Sequence, residues 1–430
     1  MQKKTSVSQT VWRLRRGMDR RFRLGHPWVY SNELLDSPKG IEPGECVELQ
    51  DASGRFLARG FGNPSSLIAF RSLTRNPDHL EPTSKKSILE ALRRAKVLRF
   101  QLGFEGFSYR LFYGEADGLA GLVIDRFATL AGGQVLVIQA HSAGADGILE
   151  SLPGILEAWT KETYGNPIWD QTSILFRNDL SIRKLEGLAE ETPEVIQSAL
   201  HEDLKSTKIL IRPVSGQKPL VFRVNLWEGQ KTGFFLDQYS NIQLASLRFE
   251  GLVGNSIRIL DLCSYVGQWG AQLSSVFQAQ GRRVEVLAVD SSPQALEFAK
   301  QNVEAQGAHC HTLKANVLKD LGALETGSFD LVICDPPAFI KNRKDIPTGT
   351  HAYLQLATKA MRWVRPQGGL VFCSCSALLT EEALLQVLSK ASQRNVKPIR
   401  WVGRGSQSPD HPLLTEFPEG RYLKAWIGIA

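Results

Sequence analysis

Residues 256–270 read SIRILDLCSYVGQWG, and this stretch decides the fold. Ile257, Ile259, Leu260 and Leu262 make a short apolar run that suits a strand covered on both faces. The run passes Asp261 and Ser264, meets glycines at 267 and 270, and continues into AQLSSVFQAQ (271–280), which has helical period. The same alternation follows downstream. Strand VEVLAVD (284–290) leads to helix PQALEFAKQNVEAQ (293–306) and strand HCHTLKA (309–315). Strand FDLVICD (329–335), helix HAYLQLATKAMRWV (351–364) and strand GGLVFCSC (368–375) complete it. Alternation sustained over about 175 residues predicts a Rossmann-like α/β domain with a doubly wound, mostly parallel sheet. Ligands of such sheets sit beyond the carboxyl ends of the strands, near the point where strand order reverses.

Those ends carry a nucleoside pocket. Asp261, Ser264, Tyr265 and Gly267 stand at the first, and Asp290 and Ser291 at the second. An acid at the end of strand two can accept both hydroxyls of a ribose. NAD would use the same acid, but its pyrophosphate needs a G-x-G-x-x-G turn against a helix N-terminus. This loop offers only Gly267 and Gly270, with Gln268 and Trp269 between them. S-adenosyl-L-methionine carries no phosphate and suits the loop better. The plainer alternative is that Asp261 and Asp290 only cap their turns. Asn316, in KANVL, lies where an acid often meets an adenine amine.

The reacting end is CDPPAFIKNRK (334–344). Proline after Asp335 keeps that residue extended, and two consecutive prolines stiffen the loop. Phe339 offers a face for an extruded base. Strand five ends at FCSCS (372–376), beside strand four, so Cys375 reaches the Asp335 loop while Cys373 lies deeper in the strand. Carbon methylation of a pyrimidine gives a thiol a task there. C5 is too weak a nucleophile until a thiolate adds to C6, and such a thiol needs an electropositive, partly open site. The alternatives are an inert buried cysteine and methyl transfer to a purine nitrogen, for which the aromatic after Pro-Pro comes one position late, at Phe339. His309 and His311 share a strand face with no third ligand, so no metal site is expected.

Upstream, residues 26–75 read as short strands divided by turns, a small β-barrel or sandwich. Residues 80–101 form a helix with Ser84 as cap. Residues 105–215 read as an α+β module with one helical stretch near 142–163. The resulting division is 1–78, 79–215 and 216–430. Arg13, Arg15, Arg16, Arg20, Arg21 and Arg23, with Lys3 and Lys4, crowd the first 25 residues against one acid, Asp19. Such a cluster marks either an RNA contact or a solvated basic edge. The formal charge over 430 residues is +7. No run of eighteen apolar residues is present, so no membrane span is expected. The basic N-terminus lacks the apolar stretch of a secretory signal. Six cysteines without a C-x-x-C pair suit free thiols in a reducing cytoplasm.

Motifs along nearly the whole chain resemble the large-subunit ribosomal RNA cytosine-C5 methyltransferase family. GHPWVYSNEL (25–34) resembles the start of its RNA-binding PUA domain, and YGEADGLAGLVIDRF (113–127) its central module. EGQKTGFFLDQYSN (228–241) resembles the segment that enters the methyltransferase domain and encloses the cofactor, implying roles there for Thr232, Phe235, Asp237 and Gln238. LDLCSYVGQWG, CDPPAF, FCSCS and DHPLLTEFPEGRYLKAW (410–426) resemble the cofactor loop, motif four, motif six and a closing hairpin. The resemblance implies Cys375 and Asp335 as catalytic, Asp290 as the ribose acid, S-adenosyl-L-methionine as cofactor and 23S ribosomal RNA as substrate. A cytoplasmic homodimer is carried as a further expectation. The acceptor of the C5 proton is left between Asp335 and Glu419. Cys263 stands where the family usually has Phe, Asn316 where it has Asp, and Tyr239 where Arg is common. The competing readings are methylation of a purine nitrogen and a non-catalytic RNA-binding protein on a decayed methyltransferase fold.

Overall fold

The computed structural model describes residues 10–199, 203–214, 218–319, 321 and 324–430. The chain gathers into two compact units: one up to Leu204 with Leu226–Glu228 and Asp410–Pro418, the other holding Lys205–Asn225, Gly229–Pro409 and Glu419–Ala430.

The second unit is built on seven strands: β1 (Ser256–Leu262), β2 (Arg283–Asp290), β3 (His309–Lys314), β4 (Phe329–Cys334), β5 (Val364–Ser374), β6 (Arg400–Gly405) and β7 (Lys424–Ile429). Their order is β3-β2-β1-β4-β5-β7-β6. The first five run parallel, and β7 lies antiparallel between β5 and β6. The chain winds outward from β1 through β2 to β3 and then returns to β4 on the other side of β1. The carboxyl ends of β1 and β4 therefore open a crevice at the switch point. In the register, Leu262 pairs with Cys334, and Cys334 with Phe372. The residues that follow, Cys263, Asp335 and Cys373, come level, and Cys375 lies two residues further along, at the rim.

Helices α1 (Tyr239–Phe249), α2 (Gln268–Ala279), α3 (Pro293–Glu304), α4 (Ile346–Trp363) and α5 (Glu381–Asn395) cover the sheet. Gly267 opens α2 at φ +75°, and a Cβ there would meet Ala299 Cα at 2.9 Å, so both conformation and space require glycine. Ser292 caps α3 by accepting from Ala295 N–H. Asn302 of α3 is buried and holds two other pieces. It accepts from Arg223 N–H (2.7 Å) in the hairpin Thr207–Ile211/Leu220–Val224, and it donates to Val266 O (2.9 Å) in the β1–α2 loop. By packing, that hairpin groups with the seven-stranded sheet. The closing hairpin expected over 410–426 is displaced: its strands are β6 and β7, and residues 406–423 form a long strand-free excursion between them.

In the first unit, a five-stranded sheet (Val11–Arg13, Cys46–Gln50, Phe56–Gly62, Phe70–Thr74, Trp28–Val29) closes over Trp12, Leu14, Phe22, Val47, Leu49 and Phe70. Helix Lys85–Gln101 follows, with Ser84 accepting from Ser87 N–H as its cap. A second five-stranded sheet (Tyr109–Tyr113, Leu122–Ala128, Gln134–Ala140, Thr172–Phe176, Glu194–Gln197) forms the α+β module. The single helix expected near 142–163 is two, Ala143–Asp146 and Leu152–Tyr164. Pro153 lacks the N–H that would continue an earlier helix and is tolerated only in a first turn.

The arginines of this unit meet more acid than their stretch of sequence contains. Arg13 pairs with Asp36, Arg21 with Glu33, and Arg23 with both Asp19 and Asp51. Arg15 donates to Leu34 O. Arg16 and Arg20 are exposed and have no ion-pair partner among the described residues. Lys3 and Lys4 lie outside the described residues. No helix among the described residues is long and apolar enough to cross a membrane.

Candidate active site

A cavity of about 280 Å³ lies at the switch point, entirely within the second unit. Tyr265 at φ +47° and Cys263 at φ +61° turn the chain sharply after β1. That turn brings Tyr265 N–H onto Asp290 Oδ2 (2.9 Å), while Ser292 N–H binds Oδ1 (2.9 Å). Each carboxylate oxygen keeps a lone pair for a further donor. The Tyr265 hydroxyl accepts from Gln230 N–H (3.0 Å) and donates to Gly233 O (3.1 Å). One side chain thus ties the 230–233 segment to the Asp290 end of the pocket. Ser291 and Asn316 complete this end, although Asn316 Oδ1 already accepts from Leu318 N–H.

Ser264 Oγ and Gln268 Nε2 are buried, line the cavity and have no hydrogen-bond partner among the described residues. Orphaned polar atoms in a cavity wall require a polar occupant. The carboxylate and ammonium of a methionine arm supply one, and the ribose of the same molecule suits Asp290. The residues therefore fit S-adenosyl-L-methionine.

At the other end, Asp335 Oδ2 accepts from Gln238 Nε2 (2.7 Å) and Trp269 Nε1 (3.1 Å). Burial outweighs these donors and pushes the carboxyl up to about 6. Cys375 Sγ lies 3.9 Å from Pro336 O. Burial pushes this thiol up to about 11, and the Lys231 ammonium pulls the other way. Cys373 is wholly buried and absent from the lining. The Tyr353 hydroxyl lies between Ser374 Oγ (3.0 Å) and Ser376 Oγ (2.9 Å), so one phenol holds both neighbours of Cys375. Phe339 packs on the same ring at 4.8 Å. Lys231 Nζ, from a residue at φ +54°, reaches Asp237 Oδ2 at 2.7 Å, and Tyr422 donates to the same oxygen.

The structure thus brings Phe235, Asp237, Gln238, Ser264, Tyr265, Asp290, Ser291, Asn316, Asp335, Phe339 and Cys375 to one cavity. Thr232, Asp261 and Gly267 stand behind its wall, and Glu419 is exposed and does not line it. The six arginines belong to the other unit. Trp269 and Lys231 are lining residues that the reading of the sequence did not single out. Lys231 sits inside the quoted GQKTG run, but nothing local to the run says where its side chain goes. Among the described residues no group of three or more His, Cys, Asp or Glu could hold a metal ion.

Asp261 is wholly buried; Oδ2 accepts from Gly270 N–H (3.0 Å) and Oδ1 has no partner among the described residues. Burial pushes its carboxyl up to about 7. A carboxyl raised in the folded state binds more protons there than in the unfolded chain, so stability falls as pH rises between about 4 and about 7. Asp261→Asn keeps the acceptor and removes the charge. It is expected to raise the melting temperature of the second unit at pH about 8 and leave it unchanged near pH 4. Equal shifts at both pH values in a calorimetric scan contradict this account.

A seven-stranded sheet with one antiparallel strand, a ribose acid on β2 and a reactive rim on β4 and β5 define a class I methyltransferase. The PUA-like domain family matches residues 13–75 and the methyltransferase small domain family residues 235–397. The Ribosomal RNA large subunit methyltransferase I of Erwinia tasmaniensis is 32% identical over 420 residues, covering 96% of this chain and 97% of that protein. The protein of the same name from Salmonella arizonae is 32% identical over 422 residues, 96% of each chain. The chain belongs to the ribosomal RNA large subunit methyltransferase I family. The fold also matches a SAM-dependent methyltransferase structure from Streptococcus mutans with TM-score 0.72 at 15% identity, over 98% of this chain and 100% of that one. A methyltransferase solved with SAH bound gives the same figures.

Proposed function

We propose that this chain methylates C5 of a cytosine in large-subunit (23S) ribosomal RNA, using S-adenosyl-L-methionine and a covalent Cys375 adduct. The observation that carries the reading is the pairing at the rim: Cys375 lines the cavity beside Asp335, while Cys373 is buried. S-adenosyl-L-methionine supplies an electrophilic methyl group on a sulfonium. Asp290 orients the ribose, and Ser264 and Gln268 receive the methionine arm. Phe339 stacks on the extruded base. Cys375 adds to C6, and Asp335 gives a proton to the ring nitrogen that gathers the displaced charge. C5 then takes the methyl group, a base removes the C5 proton as the thiolate leaves, and the ring nitrogen returns its proton to Asp335. Methylation of a purine nitrogen has less support, since it leaves Cys375 and the Tyr353–serine clamp without a task. Purified chain, labelled cofactor and 23S RNA test the reading: 5-methylcytosine is expected in the digest, and a methylated purine instead overturns it. The cytoplasmic location and the homodimer belong to the same reading and rest on the resemblance.

Asp290→Ala is expected to weaken cofactor binding by roughly 1.5–3 kcal/mol, the range of hydrogen bonds to charged groups. Titration calorimetry checks this, and unchanged affinity removes Asp290 from the ribose site. For RNA, the ion pairs separate the six arginines. Arg16→Gln with Arg20→Gln is expected to lower affinity and shrink the log–log salt slope by roughly 0.7–0.9 for each phosphate no longer neutralised. Arg13→Gln and Arg23→Gln should do less, since their charges already face acids. An identical slope in the double variant, the two single variants and the wild type makes this face a solvated edge.

A further inference from the structure

Lys424 is the only buried lysine among the described residues, and none of them places a carboxylate within ion-pair distance of it. A buried ammonium without a counter-ion is costly. Its Nζ donates to Ser376 O (2.9 Å) and Tyr422 O (3.0 Å), which leaves one of three N–H groups. Lys359 and Lys397 also donate to backbone carbonyls, yet both are only half-buried, so that task does not require burial.

What the ammonium faces is the turn of Cys375. Lys424 pairs with Ser374 across β5 and β7 and holds the carbonyl of Ser376, the residues on either side of the thiol. Burial lowers its proton affinity, while Cys375 and Glu381 act to raise it and Arg421 to lower it further. Glu381 is already engaged by Arg404 and Arg421. Cys375 in turn faces Lys231, Asp335 and Asp237, with the phenol of Tyr353 and the thiols of Cys263 and Cys373 close by. Both carboxylates oppose the thiolate, and Lys231 is shared with Asp237. Lys231 is the stronger charge acting on the thiol, from the cavity side, and Lys424 adds a second from behind the turn.

We propose that Lys424 supplies a second positive charge against which Cys375 ionises, with Lys231 acting from the cavity side. The Sγ–H proton passes to water and Lys424 stays protonated throughout. Lys424 acts through Cys375 and is a positioning residue. This rests on the reading of Cys375 as nucleophile, and the test separates the two.

Alkylation of Cys375 by iodoacetamide, followed by peptide mass spectrometry on the full chain without RNA, reports thiolate fraction at fixed pH. Lys424→Gln keeps donors for the carbonyls but no charge. Its Cys375 should react about tenfold more slowly at pH about 8, the effect of a one-unit shift. Lys424→Arg should restore the wild-type rate, and Cys46, in the other unit, should react alike in all three. Equal Cys375 rates in wild type and Lys424→Gln overturn the proposal. If Lys424→Gln no longer binds sinefungin, Lys424→Met, which keeps the length of the stem and removes the charge, takes its place: the same slower alkylation of Cys375 is expected, and a wild-type rate overturns the proposal. Wild-type chain mixed with 5-fluorocytosine RNA addresses the nucleophile separately. No adduct there, together with the expected alkylation pattern, sinks the cytosine reading and leaves the Lys424–Cys375 coupling standing.

Discussion

Cys375→Ala is expected to keep its fold and its cofactor affinity and to lose methyl transfer by several orders of magnitude. Without the thiolate, C5 has no route to the electron density it needs, and no other cysteine at the rim can substitute. Cys263 also lines the cavity, but burial holds its thiol well above the ordinary range, and Asp290, Asp335 and Asp261 reinforce that. Cys373 is wholly buried and packs between β4 and β7. Cys373→Ala should therefore retain turnover and cost on the order of 1 kcal/mol of stability. RNA with 5-fluorocytosine at the target separates the two thiols, because fluorine cannot leave as the proton does. A covalent adduct is expected with wild type and Cys373→Ala and none with Cys375→Ala. Full activity in Cys375→Ala would move the chemistry to a purine amine.

The parts of this site that were legible in the sequence are those fixed by strand ends. Once β1, β2, β4 and β5 are read as parallel strands, their carboxyl termini must meet. Asp290, Asp335 and Cys375 then share a rim whatever their surroundings. The order of Cys373 and Cys375 follows from the same geometry. What the sequence hid is set by side chains arriving from elsewhere. Lys231 and Lys424 stand far apart in the chain, on a turn and on the last strand, and neither motif states that both face one thiol. The arginine run looked almost uncompensated because a window of 25 residues contains only Asp19; folding adds Glu33, Asp36 and Asp51. Asp261 reads as a cofactor ligand on the sequence, but its side chain turns to Gly270 N–H behind the wall.

Asp335→Asn tests the other half of the chemistry, and its expected signature is a change in pH dependence as well as a lower rate. Gln238 and Trp269 both donate to Oδ2, so a proton on this carboxyl sits on Oδ1. An acid there stabilises the ring as the thiolate adds. With Asp335 at about 6 and Cys375 at about 11, the protonated acid falls tenfold per pH unit above about 6. The thiolate rises tenfold per unit over the same range. Their product is constant, so the wild-type single-turnover rate should be flat between about pH 6.5 and 9. In Asp335→Asn only the thiolate term remains. The rate should drop by roughly 10²–10⁴, the usual contribution of a positioned acid, and then climb tenfold with each pH unit. Sinefungin affinity should barely change, because Asn still accepts from Gln238 and Trp269. If Asp335 instead serves as the base that removes the C5 proton, it works ionised, and the wild type itself climbs with pH above about 6. A flat wild-type profile with a rising variant therefore assigns Asp335 as the acid, and a rising wild-type profile leaves the C5 proton to Asp335.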